Sequence, residues 1–403
     1  MSEKNNEAIL LNVLKKSLSE IPVLDSSVDY WLVRAKSGQF YTDFNINDYV
    51  GIGWNEITLD DIKKTNNSSE QLKNILKEKL IVHTDVPIED NSSPLDDFLD
   101  LEENQEEKKT ILSEKQYGTW AGQLLRFVNN LKINDIVVVP SENSEFLLVG
   151  KIIDDIYELT DDQLLEQELT TNYKKSQFKK RWPVKWFGYF DRNEADSKLY
   201  KMIYAQATLS NINDYKPFIN RAIFPYYIQD EQLFISMRVT QPNDIDSEYL
   251  GQFIYQYSLL NKSVDDNSKV ISKVNVQSEG IIELISNIAP AGLISFALLS
   301  GILVAPYGGE LKFFGSSIKI PGFLNGYQNN KNKKLENTSK ELENLKKASD
   351  LAKELKVPIS ELGIKLPQKL INTIEKNMEE EVKKDSLSEK DSSNKDENSD
   401  KES

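Results

Sequence analysis

The stretch Tyr30–Trp54, YWLVRAKSGQFYTDFNINDYVGIGW, constrains the fold of this chain more than any other. Tyr30–Ala35 and Tyr49–Trp54 are rich in aromatic and β-branched residues, which predicts two buried strands. Two glycines in the second strand leave room for another backbone or a flat ligand to come close. A polar, glycine-containing turn joins the strands, so we expect a sheet to form around this region.

Polar side chains between these two strands can line the mouth of a pocket with aromatic walls. They are Arg34, Lys36, Gln39, Tyr41 and Asp43. Trp31 and Trp54 would supply the walls of the pocket. The alternative interpretation makes both tryptophans ordinary core residues, because tryptophan is mostly buried in folded proteins.

Two later segments extend the pattern that begins with this stretch. Gly118–Lys151 predicts a helix (Gln123–Leu131), a turn, and the strands Ile136–Pro140 and Phe146–Ile152. Phe178–Trp186, FKKRWPVKW, predicts a basic turn that leads into another strand. A strand, a turn and a second strand recur in many folds, so each segment alone is not specific. The order and spacing of the three segments together make the pattern specific.

In order along the chain, WLVRA…GIGW, F…LKINDIVVVP…VGKI and R…VKW resemble the PUA-like superfamily, and within it the EVE-type and restriction-enzyme-associated N-terminal domains. The resemblance covers residues 28–212. It implies a small twisted β-barrel with flanking helices that binds a nucleic acid or a flipped, modified base in an aromatic-lined pocket. The candidate ligand-binding residues are Trp31, Arg34, Tyr41, Trp54, Trp120, Arg181 and Trp186.

The net charge of −15 argues against a protein that coats nucleic acid through bulk electrostatics, because such binding depends on Lys and Arg neutralising phosphates. A nucleic-acid contact must therefore be local. In Tyr173–Lys201 basic residues outnumber acidic ones and aromatic residues lie between them, a composition typical of nucleic-acid surfaces. The predicted phosphate contacts are Lys179, Lys180 and Lys185. The alternative is a basic strand with one buried aromatic face.

Residue composition leaves little support for catalysis. There is no cysteine, and His83 is the single histidine, which disfavours thiolate or histidine metal sites and cysteine or Ser-His-Asp catalysis. No glycine-rich phosphate loop follows a predicted strand. We therefore expect a binding protein rather than an enzyme, without cofactor or metal. Asp85–Glu107, acidic throughout, predicts a flexible surface insertion; the alternative is a nucleic-acid mimic that covers the basic surface.

The rest of the chain predicts further α+β structure, in segments that follow changes in composition. Apolar periodicity predicts an amphipathic helix at the start and a module in the middle, which consists of a hairpin (Ala222–Ile228 and Gln232–Val239), a helix (Asp246–Leu260) and a strand (Val270–Val276). The segments are an N-terminal helix (1–27), the PUA-like domain (28–212), the α+β module (215–280), a hydrophobic helix (284–309), charged helices (329–384) and a disordered tail (385–403).

The hydrophobic helix is predicted because Leu284–Gly309 contains no charged residue. A transmembrane helix needs about 20 mostly apolar residues. Ala297, Gly301 and Ala305 have the spacing at which membrane helices approach closely, which predicts a homo-oligomer through this face. Prolines interrupt the run near both ends, so a helix buried in a protein core is the alternative.

Three functional hypotheses follow. The first is a module that binds nucleic acid or a modified base, coupled to a membrane-associated C-terminal half in the manner of a bacterial anti-phage defence sensor. The second is a membrane-tethered assembly protein without a ligand, and the third is a nuclease. A cavity beside Arg34 or Arg181 would favour the first, a filled barrel the second, and clustered carboxylates the third. We expect the chain in the cytoplasm, or anchored to the inner face of the cell membrane.

Overall fold

The computed structural model describes residues 3–80, 113–168, 173–204, 207–276, 280–300, 348, 351–352, 355 and 359–396. The chain divides into a central unit, Ser27–Ile223, and a terminal unit that combines Met1–Ser26 with Phe224–Ser403. Both units contain helices and sheet, so the predicted α+β class is confirmed. The acidic stretch 85–107 and His83 lie outside the described residues.

Helix α1 (Glu3–Glu20) opens the chain and belongs to the terminal unit. The strands of the central unit are β1 (Tyr30–Val33), β2 (Tyr49–Ile52), β3 (Ile136–Pro140), β4 (Phe146–Ile152), β5 (Tyr157–Glu158), β6 (Lys180–Asp191) and β7 (Leu209–Asn211). Its α-helices are α2 (Tyr41–Ile46), α3 (Leu59–Lys64), α4 (Ser69–Lys79), α5 (Glu114–Leu125), α6 (Asp161–Glu168), α7 (Leu199–Ile203) and α8 (Lys216–Ile223).

These seven strands form one curled half-barrel sheet with helices around it. The strand order is β2-β6-β4-β3-β1-β7, and β5 pairs with β6 on the edge opposite β2. Strands β1 and β3 run parallel, with Tyr30 opposite Ile136, whereas the other pairs are antiparallel. Since two parallel strands end at the same edge of a sheet, the loops that follow β1 and β3 lie side by side.

The two strands predicted in the Tyr30–Trp54 stretch are confirmed, but they do not pair with each other. Strand β1 lies between β3 and β7, and β2 pairs with β6. The connection contains helix α2, where the sequence predicted an exposed turn. This helix forms because Phe44 is fully buried against aromatic residues of the core, which a solvent-exposed turn could not provide.

Helix α5 begins earlier than the predicted Gln123–Leu131. Ser113 caps its first turn, and the side chains of Ser113 and Gln116 each accept a backbone N–H from the other residue. This Ser-x-x-Gln capping box was a readable start signal in the sequence. The helix ends at Leu125 in a π-helical turn, Arg126–Asn130, that leads into β3.

The terminal unit has helices packed on one face of an antiparallel sheet. Its elements after α1 are β8 (Tyr226–Gln229), β9 (Gln232–Val239), α9 (Ser247–Val264), β10 (Val270–Val276), β11 (Gly280–Ser286), α10 (Ala289–Leu299), β12 (Ile364–Lys365) and α11 (Gln368–Asp396). The strand order is β10-β11-β9-β12, with β8 also on β9. Alternate residues of β9, among them Leu233 and Ile235, are buried in the apolar core beneath the helices.

The uncharged run does not form one long helix. Leu284 lies in β11 opposite Ile235, the chain turns after Ser286, and α10 then spans only 11 residues. Ala297 is fully buried in the core of the terminal unit. Gly301 and Ala305 lie outside the described residues, so the predicted small-residue face is not visible as a whole. Across the described ranges, no helix is sufficiently long and apolar to cross a membrane.

The end of the chain also differs from the prediction. Helix α11 continues to Asp396, into a stretch that was predicted to be disordered. Its first half packs on α1, where the amide of Asn377 donates to the buried hydroxyl of Ser17 at 3.1 Å. Once this packed half is helical, each further residue adds a hydrogen bond at little cost, so the polar sequence can extend the helix.

Candidate functional site

A cavity of about 270 Å³ opens where the parallel strands β1 and β3 end. Two loops form its walls: the loop after β1 and the turn between β3 and β4. The lining residues are Arg34, Ala35, Ser37, Gly38 and Gln39 from the first loop, and Pro140, Ser141, Glu142, Asn143 and Ser144 from the second. Arg34 and Gln39, two of the polar residues predicted to surround a pocket, therefore do line one.

Both loops hold unusual backbone conformations. Lys36, Ser37 and Gly38 have φ values of 47°, 49° and 92°, and Asn143 and Ser144 have 55° and 54°. Left-handed conformations at non-glycine residues cost free energy, and they gather at ligand and active sites more often than elsewhere. The cavity is thus lined by two loops that the surrounding structure holds in place.

Glycine is required at position 38 because the two loops touch there. A Cβ atom on Gly38 would lie 2.1 Å from the backbone nitrogen of Glu142 and 2.4 Å from the carbonyl carbon of Ser141. Backbone atoms on both sides cannot move independently of the strands that carry them. The distance between the loops, and with it the width of the cavity, therefore depends on this glycine.

We expect Gly38→Ala to lower the free energy of unfolding of the central unit by about 2–3 kcal/mol, through the left-handed φ and the backbone clash. All five tryptophans lie in the central unit, so their fluorescence during urea unfolding of the whole chain reports this unit alone. Gly118→Ala is the control: nothing lies within 4 Å of its Cβ, and it should stabilise α5 by about 0.5–1 kcal/mol. Equal effects of the two substitutions would contradict the close approach.

Arginine side chains anchor both loops. The backbone N–H of Arg34 donates to the carbonyl of Thr208 at 2.9 Å, and its guanidinium donates to the carbonyl of Ile203. On the other side, the guanidinium of Arg192 donates to the carbonyl of Asn143 at 3.0 Å. These bonds fasten the first loop to Ile203 and Thr208, and the second loop to the segment after β6.

Three aromatic residues outside the cavity lining lie next to it through contacts with lining residues or with each other; we call Tyr41, Phe146 and Tyr189 the aromatic rim. The N–H of Phe146 donates to the Ser141 hydroxyl at 2.9 Å, and its ring packs edge-on against Tyr189 at 5.5 Å. The N–H of Tyr41 donates to the carbonyl of Gly38 at 3.0 Å. Burial, and secondarily the nearby Tyr189, raises the pKa of Tyr41 to about 12, so its hydroxyl stays a neutral donor.

The tryptophans predicted to form the pocket lie in the core instead. Trp54 and Trp120 are 6% and 2% exposed, and their rings contact each other at 5.6 Å with a 47° tilt. A base between two rings needs them parallel and roughly 7 Å apart, two stacking distances, so no base fits between this pair. Trp31 donates to the buried carboxylate of Asp135 at 3.0 Å.

Trp186, the fourth candidate tryptophan, is half-buried. Its indole N–H donates to the carbonyl of Phe44, at the end of helix α2, at 3.0 Å. In strand β6 it is followed by Phe187 and Tyr189, which are 38% and 62% exposed. A bulge lies at this point: Gly150 pairs with Trp186 and Val149 with Gly188. The extra residue re-aims the strand, and the outer end of β6 carries the rim residue Tyr189.

Two of the predicted cationic contacts are structural. Lys180 is fully buried, and its ammonium donates to the carbonyls of Trp54 and Ile57 at 2.7 and 2.8 Å. Burial lowers the pKa of Lys180 to about 8. Arg181 is 3% exposed and stacks its guanidinium 3.9 Å from the ring centroid of Tyr49. A phosphate in solvent cannot reach either group in this conformation.

The other two predicted phosphate contacts are closer to solvent. Lys179 forms an ion pair with Asp161 at 2.5 Å. Lys185 is exposed in β6, directly opposite Lys151 of β4. Like charges directly opposite in an antiparallel pair repel each other, and an anion between them would relieve the repulsion. Of the predicted phosphate contacts, Lys185 is therefore the one whose surroundings suit that role.

Asp43, predicted at the pocket mouth, lies instead in a buried polar network. Its carboxylate accepts the backbone N–H of Ser176 at 2.7 Å, the side-chain amide of Asn47 at 2.7 Å, and the hydroxyl of Tyr49. Tyr49 in turn lies under the guanidinium of Arg181. Burial raises the pKa of Tyr49. This network joins α2, β2 and the segment before β6.

Comparison with known proteins gives one partial match. A family model described as a domain of unknown function (DUF8426) matches residues 88–213. This description carries no activity. No curated protein and no solved structure matches the chain. The matched residues include the Ser141–Ser144 wall of the cavity and the rim residues Phe146 and Tyr189, whereas the Arg34–Gln39 loop precedes them.

The sequence interpretation missed one whole wall of the cavity. Ser141, Glu142, Asn143 and Ser144 lie between two predicted strands, and the sequence assigned them no role. A polar Ser-Glu-Asn-Ser turn was visible, but its position beside Arg34 follows from the parallel pairing of β1 and β3, which no local pattern encodes. Within the described ranges, no group of three or more His, Asp and Glu side chains lies close enough together to hold a metal ion.

Proposed function

We propose that the central unit is a PUA-like module that binds a base of a nucleic acid at the cavity beneath the aromatic rim. The proposal rests on one observation: a polar cavity and a group of aromatic side chains lie next to each other. Polar groups from two loops line the cavity, and Tyr41, Phe146 and Tyr189 adjoin it. The curled half-barrel sheet with flanking helices supports the PUA-like part of the proposal.

A nucleobase matches this junction chemically. It has an apolar face that stacks on aromatic rings and an edge of hydrogen-bond donors and acceptors. Stacking on an aromatic side chain contributes about 1–3 kcal/mol per base, and the polar groups at the edge decide which base is preferred. Tyr189, 62% exposed, offers its ring to a ligand without rearrangement of the core.

Contacts to the phosphate backbone must be few, because the chain has a net charge of −15. Lys185, exposed and opposite Lys151, is the predicted phosphate contact that we retain. Lys180 and Arg181 are buried, and their hydrogen bonds stabilise the fold. Binding should therefore depend weakly on salt, with roughly one unit of slope in log affinity against log salt for each phosphate contact.

Tyr189→Ala tests the proposal. We expect the full chain to bind a single-stranded oligonucleotide, and the substitution to weaken binding by about 5- to 150-fold, which corresponds to the loss of one stacking contact of about 1–3 kcal/mol. Fluorescence anisotropy of a labelled oligonucleotide measures this. Tyr157→Ala removes another exposed tyrosine of the central unit, in strand β5 and outside the cavity lining, and should leave affinity unchanged. Equal affinity of the two variants, or no binding by the wild type, contradicts the proposal.

A second candidate is an assembly protein whose β-domain holds no ligand. It is favoured by the filled interior of the half-barrel, where Trp31, Trp54, Trp120 and Trp182 are all buried. The same anisotropy measurement separates the candidates, because this one predicts no oligonucleotide binding at any concentration that keeps the protein monodisperse. The coupling to a defence response predicted from the sequence stays a prediction.

A further inference from the structure

We infer that the open edge of strand β10 binds a second copy of this chain, and that the two β10 strands pair antiparallel about a two-fold axis. The inference concerns the terminal unit and does not depend on the base-binding function proposed for the central unit. Strand β10 lies at one end of its sheet, and among the described strands it pairs with β11. The open edge of such a strand can accept a further strand through its backbone N–H and C=O groups.

Alternate residues of β10 point their backbone groups away from β11. The N–H of Asn287 donates to the carbonyl of Lys269 at 3.1 Å, and this pair continues the register of β11 on β10. Because bonded and non-bonded pairs alternate along an antiparallel ladder, the N–H and C=O groups of Val270, Ser272 and Val274 face the open edge. Within the described part of the chain, no hydrogen bond reaches these groups.

The shape of this edge suits pairing with another strand. Natural proteins commonly protect an edge strand with a bulge, a proline or a charge that faces the edge. Strand β10 pairs along its 7 residues without a bulge, and it contains no proline. Ile271 and Val274, on opposite faces of the sheet, are 57% and 44% exposed. The edge is therefore regular, and apolar side chains flank it on both faces.

Lys273 is the single charged residue of β10, and its side chain turns away from the open edge. Its ammonium lies 3.3 Å from the carboxylate of Glu283 in β11 and 6.0 Å from the ring centroid of Phe234 in β9. Both strands follow β10 towards the interior of the sheet. The charge that could repel a second strand is thus drawn back over the sheet and balanced by a carboxylate.

A second copy of β10 complements this edge. Antiparallel pairing with Ser272 on the two-fold axis places Ser272 opposite its own copy and Val270 opposite Val274 of the other chain, so the free backbone groups of all three residues find partners. Ile271 then lies opposite Lys273 of the other chain, and no like charges meet. Each chain contributes the same surface, which is the arrangement that closes as a dimer.

Sedimentation velocity of the full chain over a concentration series tests the inference, and we expect the wild type to be in equilibrium between monomer and dimer. Ser272→Pro removes an N–H that faces the open edge and is not used by β11, so the β10–β11 hairpin should persist. The dimer should weaken about tenfold or more, because both copies lose this bond. Ser272→Ala keeps the N–H and should associate as the wild type does. Circular dichroism checks the folding of both variants.

Two substitutions at Ile271 test the register of the pairing. Ile271→Lys places an ammonium opposite Lys273 of the other chain, whereas Ile271→Glu places a carboxylate there. Since each contact occurs twice in the dimer, the lysine variant should associate about fivefold or more weakly than the glutamate variant. Ile271 is exposed, so both variants should fold. Equal association of the two variants would overturn the two-fold pairing.

The remaining outcomes are decisive as well. A wild type that stays monomeric at every concentration would overturn the inference and leave this edge to a strand of another protein. A dimer that Ser272→Pro leaves intact would place self-association at another surface, which also overturns the inference. If Ser272→Pro fails to fold, the comparison of Ile271→Lys with Ile271→Glu decides alone.

Discussion

Asp43→Ala is expected to lower the free energy of unfolding of the central unit by about 3–5 kcal/mol, the cost of breaking a buried, charged hydrogen-bond network. The carboxylate is 1% exposed and accepts from Ser176, Asn47 and Tyr49. Without it, the Ser176 N–H and the Tyr49 hydroxyl lose this acceptor in a buried site. Urea unfolding followed by tryptophan fluorescence measures the effect.

Two further variants make this result specific. Asp43→Asn keeps the shape and one accepting oxygen, so it should cost about half as much, chiefly through the lost negative charge. Asp155→Ala removes an exposed carboxylate of the same unit and should change stability by less than about 0.5 kcal/mol. If Asp43→Ala cost no more than Asp155→Ala, the network would not contribute to stability.

The central unit is expected to become more stable as the pH rises from 8 to 10, because of Lys180. Burial lowers the pKa of Lys180 from 10.5 to about 8 in the folded chain. Between these two values the unfolded state binds more protons than the folded state, so raising the pH favours folding. Integrated from pH 8 to pH 10, one such group contributes about 2 kcal/mol.

Lys180→Met should remove this rise, whatever its effect on stability at one pH. The charged groups that also affect Lys180 are Glu158, Glu56, Lys179 and Asp61. Lys185→Met, which removes an exposed lysine of the same strand, should leave the rise in place. Unfolding free energies at several pH values measure the slope. An equal slope in wild type and Lys180→Met would show that the buried ammonium is not responsible.

The upper limit of this pH range is set by tyrosines. Burial raises the pKa of Tyr30 and of Tyr41 to about 12. Their folded-state pKa values exceed the unfolded value, so they contribute stability below pH 10 that is lost as the pH rises towards 12. The effect of Lys180 is therefore clearest between pH 8 and pH 10, and a fall in stability is expected above that.

Local sequence patterns predicted several elements well. The bounds of Ile136–Pro140, Phe146–Ile152, Gln232–Val239 and Val270–Val276 are those of the structure. These strands are short runs of β-branched and apolar residues between clear turn signals, so neighbouring residues suffice to specify them. The hairpin turn after β8 is another such case, because Asp230 and Glu231 both adopt positive φ.

The candidate site was predicted only in part. Arg34 and Gln39 line a cavity, as their place after a buried strand suggested, and Tyr41 lies at its rim. The other wall, Ser141–Ser144, could not be inferred because it lies more than a hundred residues away along the chain. Its position depends on which strands become neighbours in the sheet.

The sequence by itself determined the α+β class, most of the strands, and the net charge of −15 that restricts contacts with phosphates. It did so because apolar periodicity, turn residues and charge act over a few neighbouring positions. Only the tertiary structure decided which of the similar-looking residues face solvent. In FKKRW both Lys180 and Arg181 are buried, in the part of β6 that has β2 on one edge and β5 on the other.

For the same physical reason, some of the aromatic residues are buried and others are exposed. Trp54 and Trp120 meet each other in the core, whereas Tyr189 is exposed at the end of a bulged strand. Nothing in the local sequence distinguishes a tryptophan that packs in the core from one that stacks on a bound base. Burial depends on the packing of distant segments, and so the cavity of this chain was decided by the parallel pairing of β1 and β3.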